Sequence, residues 1–323
     1  MGSAARTGAT RELRNEFSWS HSRHDAFLSC PRRYYFHYYG SWGGWSEGAE
    51  ARVRRLYVLK NLKSRQMWAG GVVHDVVADV LRRVRRDGFE QAGLLDEAAA
   101  AADRAVARLR REFRESRAGA YLEDPRHAVG LLEHHYRESV PDEQWRDLAE
   151  GVRAAVLRFH QGPYLEDLRR LPADAWLALE DLTSFPLDGV TVYVKLDLAV
   201  RATGGDVAII DWKTGRREPR PEGLQLGTYA LHAVEHWKAA PDAIEVREVN
   251  LTTGAEGTQR VSASQLEAAR TTIRESIRQM RAKLLDAAEN RAREEDFATR
   301  PGPRTCPRCP FREICPETRP AGG

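Results

Sequence analysis

Two groups of residues in this 323-residue chain have types and spacings suited to chemistry. The first is acidic. Asp211-Trp212-Lys213 closes the apolar run Val207 to Ile210, and Asp197 interrupts the alternating run Val190 to Val200. Residues i and i+2 of a strand point to one face, so Asp211 and Lys213 share one. Asp197 lies on the preceding run, across a tight turn, and can come alongside Asp211. Such a set reads as a surface ion pair or as a buried site. Its place inside apolar runs favours burial, where a carboxylate needs a partner such as a metal ion.

Two carboxylates, a backbone carbonyl and waters suit a hard cation, Mg²⁺ or Mn²⁺. That ion acidifies water and neutralises charge at a scissile phosphate. A lysine beside it can orient or help deprotonate that water, which an arginine cannot do because it keeps its proton. Lys195, two residues before Asp197, shares the site's face or is a plain solvent-facing lysine. His74 follows Gly70-Gly71, which permit close approach of another element. Gln225 and Tyr229, at i and i+4, share one helix face. Each of these three signals is weak alone.

The second group is thiol. Cys306-x2-Cys309-x5-Cys315 forms a compact run, and Cys30 stands far upstream. All four precede a proline, and Cys-Pro turns occur around iron–sulfur ligands. Four thiolates fit a [4Fe–4S] cluster or a structural Zn²⁺. Zinc sites more often pair two CxxC elements, and only one is present, so iron–sulfur is favoured. Either group would staple the two ends of the chain together.

Composition sets the frame. The length allows one large domain or two at ~100–200 residues each. With 42% hydrophobic and 30% charged residues, disorder is excluded. No run approaches the ~18 uncharged apolar residues of a spanning helix. The first seventeen residues lack the apolar core of a secretion signal, so a cytoplasmic protein without a membrane partner is expected. Net charge is only +3, yet the cations comprise 44 Arg and 6 Lys. A codon-biased genome explains most arginines, so the surviving lysines become informative.

Several elements must position these residues. The aromatic block 17–45 predicts a short helix capped by Ser18 or Ser20 and ending near Gly40. Valines at helical spacing predict a helix over 66–86. Residues 94–170 read as helical throughout, and the adjacent His134 and His135 as surface or packing residues. From Trp176 the texture becomes β: three runs split at Asp188-Gly189 and Gly204-Gly205 predict an antiparallel meander. A helix over 222–238 and two short strands follow. A capping box at Ser264 and Glu267 opens a helix to about 294. The fold class is α/β (α+β), with an αβββαβ core. Its parts are an N-terminal segment 17–65, a core 66–261 with a helical insertion 90–170, and a C-terminal region 262–318.

Together the motifs resemble the RecB-type PD-(D/E)XK nucleases, in the iron–sulfur subgroup of the AddB nuclease domain and the CRISPR-associated RecB-like exonucleases. The matching stretches are Ser18-Trp-Ser, Cys30-Pro-Arg-Arg-Tyr-Tyr, Gly70-Gly-Val-Val-His74, Lys195-Leu-Asp197, Asp211-Trp-Lys213-Thr-Gly, Gln225-Leu-Gly-Thr-Tyr229 and the terminal cysteines. The resemblance implies that His74, Asp197, Asp211 and the Trp212 carbonyl hold Mg²⁺ or Mn²⁺. It implies that Lys213 is the catalytic lysine and that Gln225 and Tyr229 position substrate or the site helix. Glu180 resembles an acidic position of the family, and Lys195 is an accessory candidate. Cys30, Cys306, Cys309 and Cys315 would hold the cluster. Val194 departs from the glycine common in the family. The implied activity is cleavage of DNA, single-stranded or at ends, in repair or CRISPR and phage defence, as an exonuclease before an endonuclease. A silent nucleic-acid-binding scaffold of the same fold is the alternative. The chain has no Walker A motif, so a motor would be a separate helicase or defence-complex subunit.

Overall fold

The computed structural model describes residues 13–87, 94–202 and 204–318. Residues 1–12 and the first residues of the predicted insertion, 90–93, lie outside them. The chain starts with strand β1 (Ser18–Trp19), helix α1 (His21–Ser29) and helix α2 (Pro31–Tyr35), which continues as a π-helical turn Phe36–Gly40. Ser20 caps α1 by accepting from the Arg23 N–H, and Pro31 starts α2 at its first turn, where a missing N–H costs nothing. The aromatic block is therefore several pieces rather than one helix, because Cys30 adopts an extended conformation before Pro31. Ser18 lies in a strand rather than at a cap.

Helices α3 (Ala51–Lys60), α4 (Arg65–Asp87), α5 (Leu94–Arg117), α6 (Leu132–His135), α7 (Asp142–Gln161) and α8 (Tyr164–Arg169) follow. The stretch 94–170 is thus not helical throughout. Gly119, at φ 83°, ends α5, and Pro125 and Pro141 fall in the turn-rich segment before α7. Glu133 of α6 accepts from the Arg65 N–H at 3.1 Å and so caps the first turn of α4.

The β region matches the predicted meander. Strands β2 (Trp176–Leu187) and β3 (Val190–Arg201) meet at Asp188-Gly189, both with positive φ, as a two-residue hairpin requires. Strand β4 (Val207–Lys213), helix α9 (Leu224–Trp237), strands β5 (Ile244–Asn250) and β6 (Glu256–Arg260), and helix α10 (Ala263–Arg281) complete the core. The cap of α10 is a box of Ser262 with Gln265, two residues earlier than expected. The helix also stops at Arg281 and not near 294, since the chain turns back in a bridge between Asp286 and Arg291.

The sheet is mixed and six-stranded, ordered β1-β3-β4-β5-β6, with β2 along the other edge of β3. β4 and β5 run parallel, joined through α9. One face packs Val72, Leu81, Leu109, Phe159 and Trp212 under α4, α5 and α7. The other packs Trp19, Leu196, Ile209, Tyr229 and Ile273 under α1, α9 and α10. A third cluster joins Phe36, Leu59, Tyr121, Leu132 and Phe311, drawing the N-terminal segment, the insertion and the cysteine region together. No helix among the described residues is long and apolar enough to cross a membrane.

The floor under Asp211 and Lys213 is Trp212, which is buried edge-on to Phe159 of α7 with ring centroids 5.4 Å apart. Phe159→Ala should cost about 3–5 kcal/mol of unfolding free energy, read by urea melts. A change below ~1 kcal/mol would show that α7 does not support the sheet at this point.

Candidate active site

The site forms where β3 and β4 part. Their ladder runs from Arg201–Val207 to Leu198–Ile210 and stops one position short of Asp197 and Asp211. Further along the same edge of β3, β1 pairs with Thr191 and Val192. Residues 193–197 are therefore left without a strand on that side, while β4 stays paired to β5 through Lys213. Side chains satisfy the freed backbone groups. The Trp212 N–H donates to Asp197 Oδ2 at 2.8 Å, and the Tyr229 hydroxyl donates to the Lys195 carbonyl at 2.7 Å. The N–H and C=O of one strand residue point to the same edge, so the Trp212 carbonyl also faces this gap.

On one side of the gap, His74, Glu180 and Asp197 each bring a donor atom within 4.8 Å of the others. His74 Nδ1 lies 3.5 Å from Asp197 Oδ2 and 3.6 Å from Glu180 Oε1. Burial would lower the His74 pKa, but the two carboxylates overcome it and hold the imidazole up at about 10. The same contact works in reverse on Glu180. Against the upward push of burial, His74 and Lys195 hold its carboxyl below the ordinary range. Glu180 has φ 55°, an uncommon conformation for a residue with a Cβ, and this turns it out of the β2 ladder toward Asp197. His74 arrives because α4 approaches the end of β4 closely. A Cβ on Gly70, one turn earlier, would sit 2.7 Å from Thr214 Oγ1.

On the other side, Lys213 Nζ lies 2.5 Å from Asp211 Oδ2 and donates to Gln225 Oε1 at 2.9 Å. Gln225 Nε2 donates to Asp211 Oδ1 at 3.3 Å and to the Tyr229 hydroxyl at 2.9 Å. This chain fixes the amide of Gln225 and aims the ammonium. Asp211 is 1% exposed, and burial followed by the nearby Asp197 pushes it up to about 7. Its Oδ2 accepts no well-directed hydrogen bond.

A buried carboxylate oxygen short of donors, beside a second carboxylate, fits a cation between them. The donors are oxygens and one imidazole, which suit a hard or borderline divalent ion. His74, Glu180 and Asp197 form the tight set, and Asp211 with the Trp212 carbonyl borders it. An ion entering would displace the imidazole proton.

The sequence-predicted residues of the acidic group therefore converge here, Glu180 and Lys195 included. Lys195 Nζ is 2.5 Å from Glu180 Oε2. Sequence reasoning missed the contribution of the insertion. Arg108 of α5 donates to Asp75 Oδ2 at 2.8 Å and to Glu112 Oε1 at 2.6 Å, and Glu112 also accepts from Trp68 Nε1 at 2.6 Å. Arg108, Glu112 and Lys63 line the same cavity as His74, Glu180 and Asp197. The rarity of lysine was the available signal for Lys63. Nothing in the spacing marked Arg108, whose place depends on how α5 packs on α4. His134 and His135 are packing residues, the first against Phe113 and Trp145 and the second between Tyr121 and Glu313.

The four cysteines line a second cavity. The Arg300 N–H donates to Cys30 Sγ at 3.4 Å and the Gly302 N–H to Cys306 Sγ at 3.3 Å. Burial first, then proximity to Cys30 and Cys315, pushes the Cys309 thiol up to about 11. Among the described residues, no three of these sulfurs lie within 4.8 Å of one another. Glu313, beside Cys315, takes a forked pair from Arg55 and 3.1 Å contact from His135 Nε2. Tyr136 donates to the Pro310 carbonyl at 2.7 Å. The cysteine loop is thus tied to the insertion.

The raised Asp211 pKa has a thermodynamic consequence. Folding binds a proton there between the ordinary value of 3.8 and about 7, so the metal-free protein loses stability as pH rises through that range and levels off above it. Asp211→Asn removes the term. In EDTA its melting temperature should exceed that of wild type at pH 8 and the two should converge toward pH 4. Mn²⁺ should raise the wild-type value and leave Asp211→Asn nearly unmoved. A parallel pH dependence of the two proteins would refute the assignment.

A family model described as the PD-(D/E)XK nuclease superfamily matches residues 18–316. A search of curated proteins finds no match. One solved structure, the crystal structure of SSO0001, aligns over 55% of this chain and 79% of that one, at 16% identity and a TM-score of 0.29. A likeness that loose carries no weight for function. The family model spans the strand gap, the converging His74, Asp197, Asp211 and Lys213, and the terminal cysteines alike, and on that basis the chain belongs to the PD-(D/E)XK nuclease superfamily.

Proposed function

We propose that this chain is a Mg²⁺- or Mn²⁺-dependent deoxyribonuclease of RecB type that hydrolyses phosphodiester bonds in single-stranded DNA or at DNA ends. The observation that carries this is the aimed lysine: Lys213 is fixed by Asp211 and Gln225 next to the donor trio. An ammonium has three N–H donors. One is on Gln225 and the charge faces Asp211, which leaves an N–H for a water or a phosphate oxygen at the gap. Lys213 would hold the attacking water in line and stabilise charge growing on the phosphate. Gln225 keeps it from swinging, and Tyr229 keeps Gln225 from flipping. A divalent ion held by His74, Glu180, Asp197 and Asp211 with the Trp212 carbonyl would supply charge neutralisation and acidify water. Lys63, Lys195 and Arg108 would hold the flanking phosphates.

We further propose that Cys30, Cys306, Cys309 and Cys315 hold a [4Fe–4S] cluster that staples segments 17–65 and 262–318 onto the core. The backbone N–H donors to sulfur and the shared cavity support a four-thiolate site. The single CxxC element favours a cluster over a zinc ion, whose sites more often pair two. A cytoplasmic protein acting in repair or in CRISPR and phage defence, as an exonuclease beside a separate helicase or complex subunit, fits this chemistry.

Wild-type protein with Mn²⁺ should degrade labelled single-stranded DNA, and Lys213→Ala should cut at least ~100-fold more slowly. Equal cutting by the variant, or an inert wild type on single strands, duplexes and flaps, would sink the nuclease reading. Anaerobically purified protein should be brown, with four iron and four sulfide per chain, and Cys309→Ala should lose both. A colourless preparation with one zinc would replace the cluster by a zinc staple.

A further inference from the structure

Resting on the nuclease reading, we propose that the outer face of the β2–β3 hairpin is a stacking platform that holds unpaired bases of the substrate strand beside the metal site. Along β3, Val190, Val192, Val194 and Leu196 are buried in the second core, so Tyr193 and Lys195 face outward. Tyr193 is 41% exposed. Across the ladder, Leu182 stands opposite Lys195 and Ser184 opposite Tyr193. Leu182 is 71% exposed.

Cross-strand pairing does not account for these two apolar side chains. Neither has an apolar partner directly opposite, and among the described residues the Tyr193 ring meets no other ring and its hydroxyl makes no hydrogen bond. They are diagonal neighbours on one face, about 7–8 Å apart by strand geometry. The face is continuous with the site. Lys195 lies between Tyr193 and Asp197 on β3 and lines the cavity that holds His74, Glu180 and Asp197.

Four residues of strand separate Asp197 from Tyr193, about 13 Å. That is roughly four stacked nucleotides at ~3.4 Å per strand. An exposed tyrosine and leucine with a lysine beside both match the needs of a single strand: a flat π surface and an apolar shelf for bases, and a cation for the backbone. Bases locked in a duplex cannot present a face to such a shelf. The platform therefore selects unpaired substrate, by a surface separate from the residues that carry out the chemistry.

The test uses full-length protein and fluorescent 20-mers, with binding read by anisotropy in Ca²⁺ and cutting read in Mn²⁺. Tyr193→Ala should weaken single-strand binding by ~5-fold or more and Tyr193→Phe should restore it, with duplex binding unchanged. A strand made abasic at the nucleotides facing the platform should bind wild type and Tyr193→Ala equally. Melting curves check that both variants fold. If wild type cuts single strands and Tyr193→Ala binds and cuts as well, the platform is wrong and the nuclease reading stands. If the loss persists on the abasic strand, the contact is not stacking and the proposal falls. If Tyr193→Ala changes only the oligomeric state on gel filtration, the face is an interface between copies instead. A wild type that neither binds nor cuts any nucleic acid removes both readings.

Discussion

The structure depends on β3 and β4 parting just before two carboxylates. A sheet normally satisfies every interior N–H and C=O through its ladder. Here the ladder is surrendered at Asp197 and Asp211, and Asp197 Oδ2 and the Tyr229 hydroxyl take over the Trp212 N–H and the Lys195 carbonyl. The exchange opens a gap in the middle of the sheet, reached by α4 from one face and by α9 from the other. Asp197 thus has two tasks, because the oxygen that seals the backbone also belongs to the donor trio.

Charge at the gap is balanced without an ion, but only in part. Glu180 and Asp197 favour the protonated form of the His74 imidazole between them, and Lys195 and Lys213 close on Glu180 and Asp211. Asp211 still sits in a place where its charged form is disfavoured. A buried carboxylate held short of compensation is poised to bind a cation, at a cost in stability when none is present. Of the six lysines, Lys63, Lys195 and Lys213 all stand at this site. In a chain that otherwise uses arginine, their clustering separates a point charge able to fit a small site from the wide fork of a guanidinium.

The insertion is part of how the site is held. Glu133 caps α4, which carries His74, and Glu112 and Arg108 of α5 brace Trp68 and Asp75 on the same helix. The segment that supplies Glu133 is bound in turn to the cysteine loop through Tyr136 and through His135 on Glu313. A continuous set of contacts therefore runs from the thiols to the first turn of α4. The resulting site is braced through α4 and α5, and α9 holds Lys213 from the other side.

Much of the site was legible in the sequence because strand and helix periods place residues on faces. Asp211 with Lys213, and Gln225 with Tyr229, follow from spacings of two and four, and the meander follows from its turns. Boundaries failed where local rules compete: two capping-box patterns lie two residues apart in the sequence at the start of α10 and only that of Ser262 and Gln265 forms, and the two-residue strand β1 is too short to show a period. Glu180 was legible only as a resemblance, since its role depends on a positive φ that no propensity predicts. The sequence by itself determined the chemistry available: the carboxylates, the few lysines and the four thiols, each marked by residue type against an apolar or arginine-rich background. Only the tertiary structure decided which of them meet. The gap between β3 and β4, the approach of α4 at Gly70 and the bracing by α5 all arise from contacts between residues far apart in the chain, whose partners no local spacing can name.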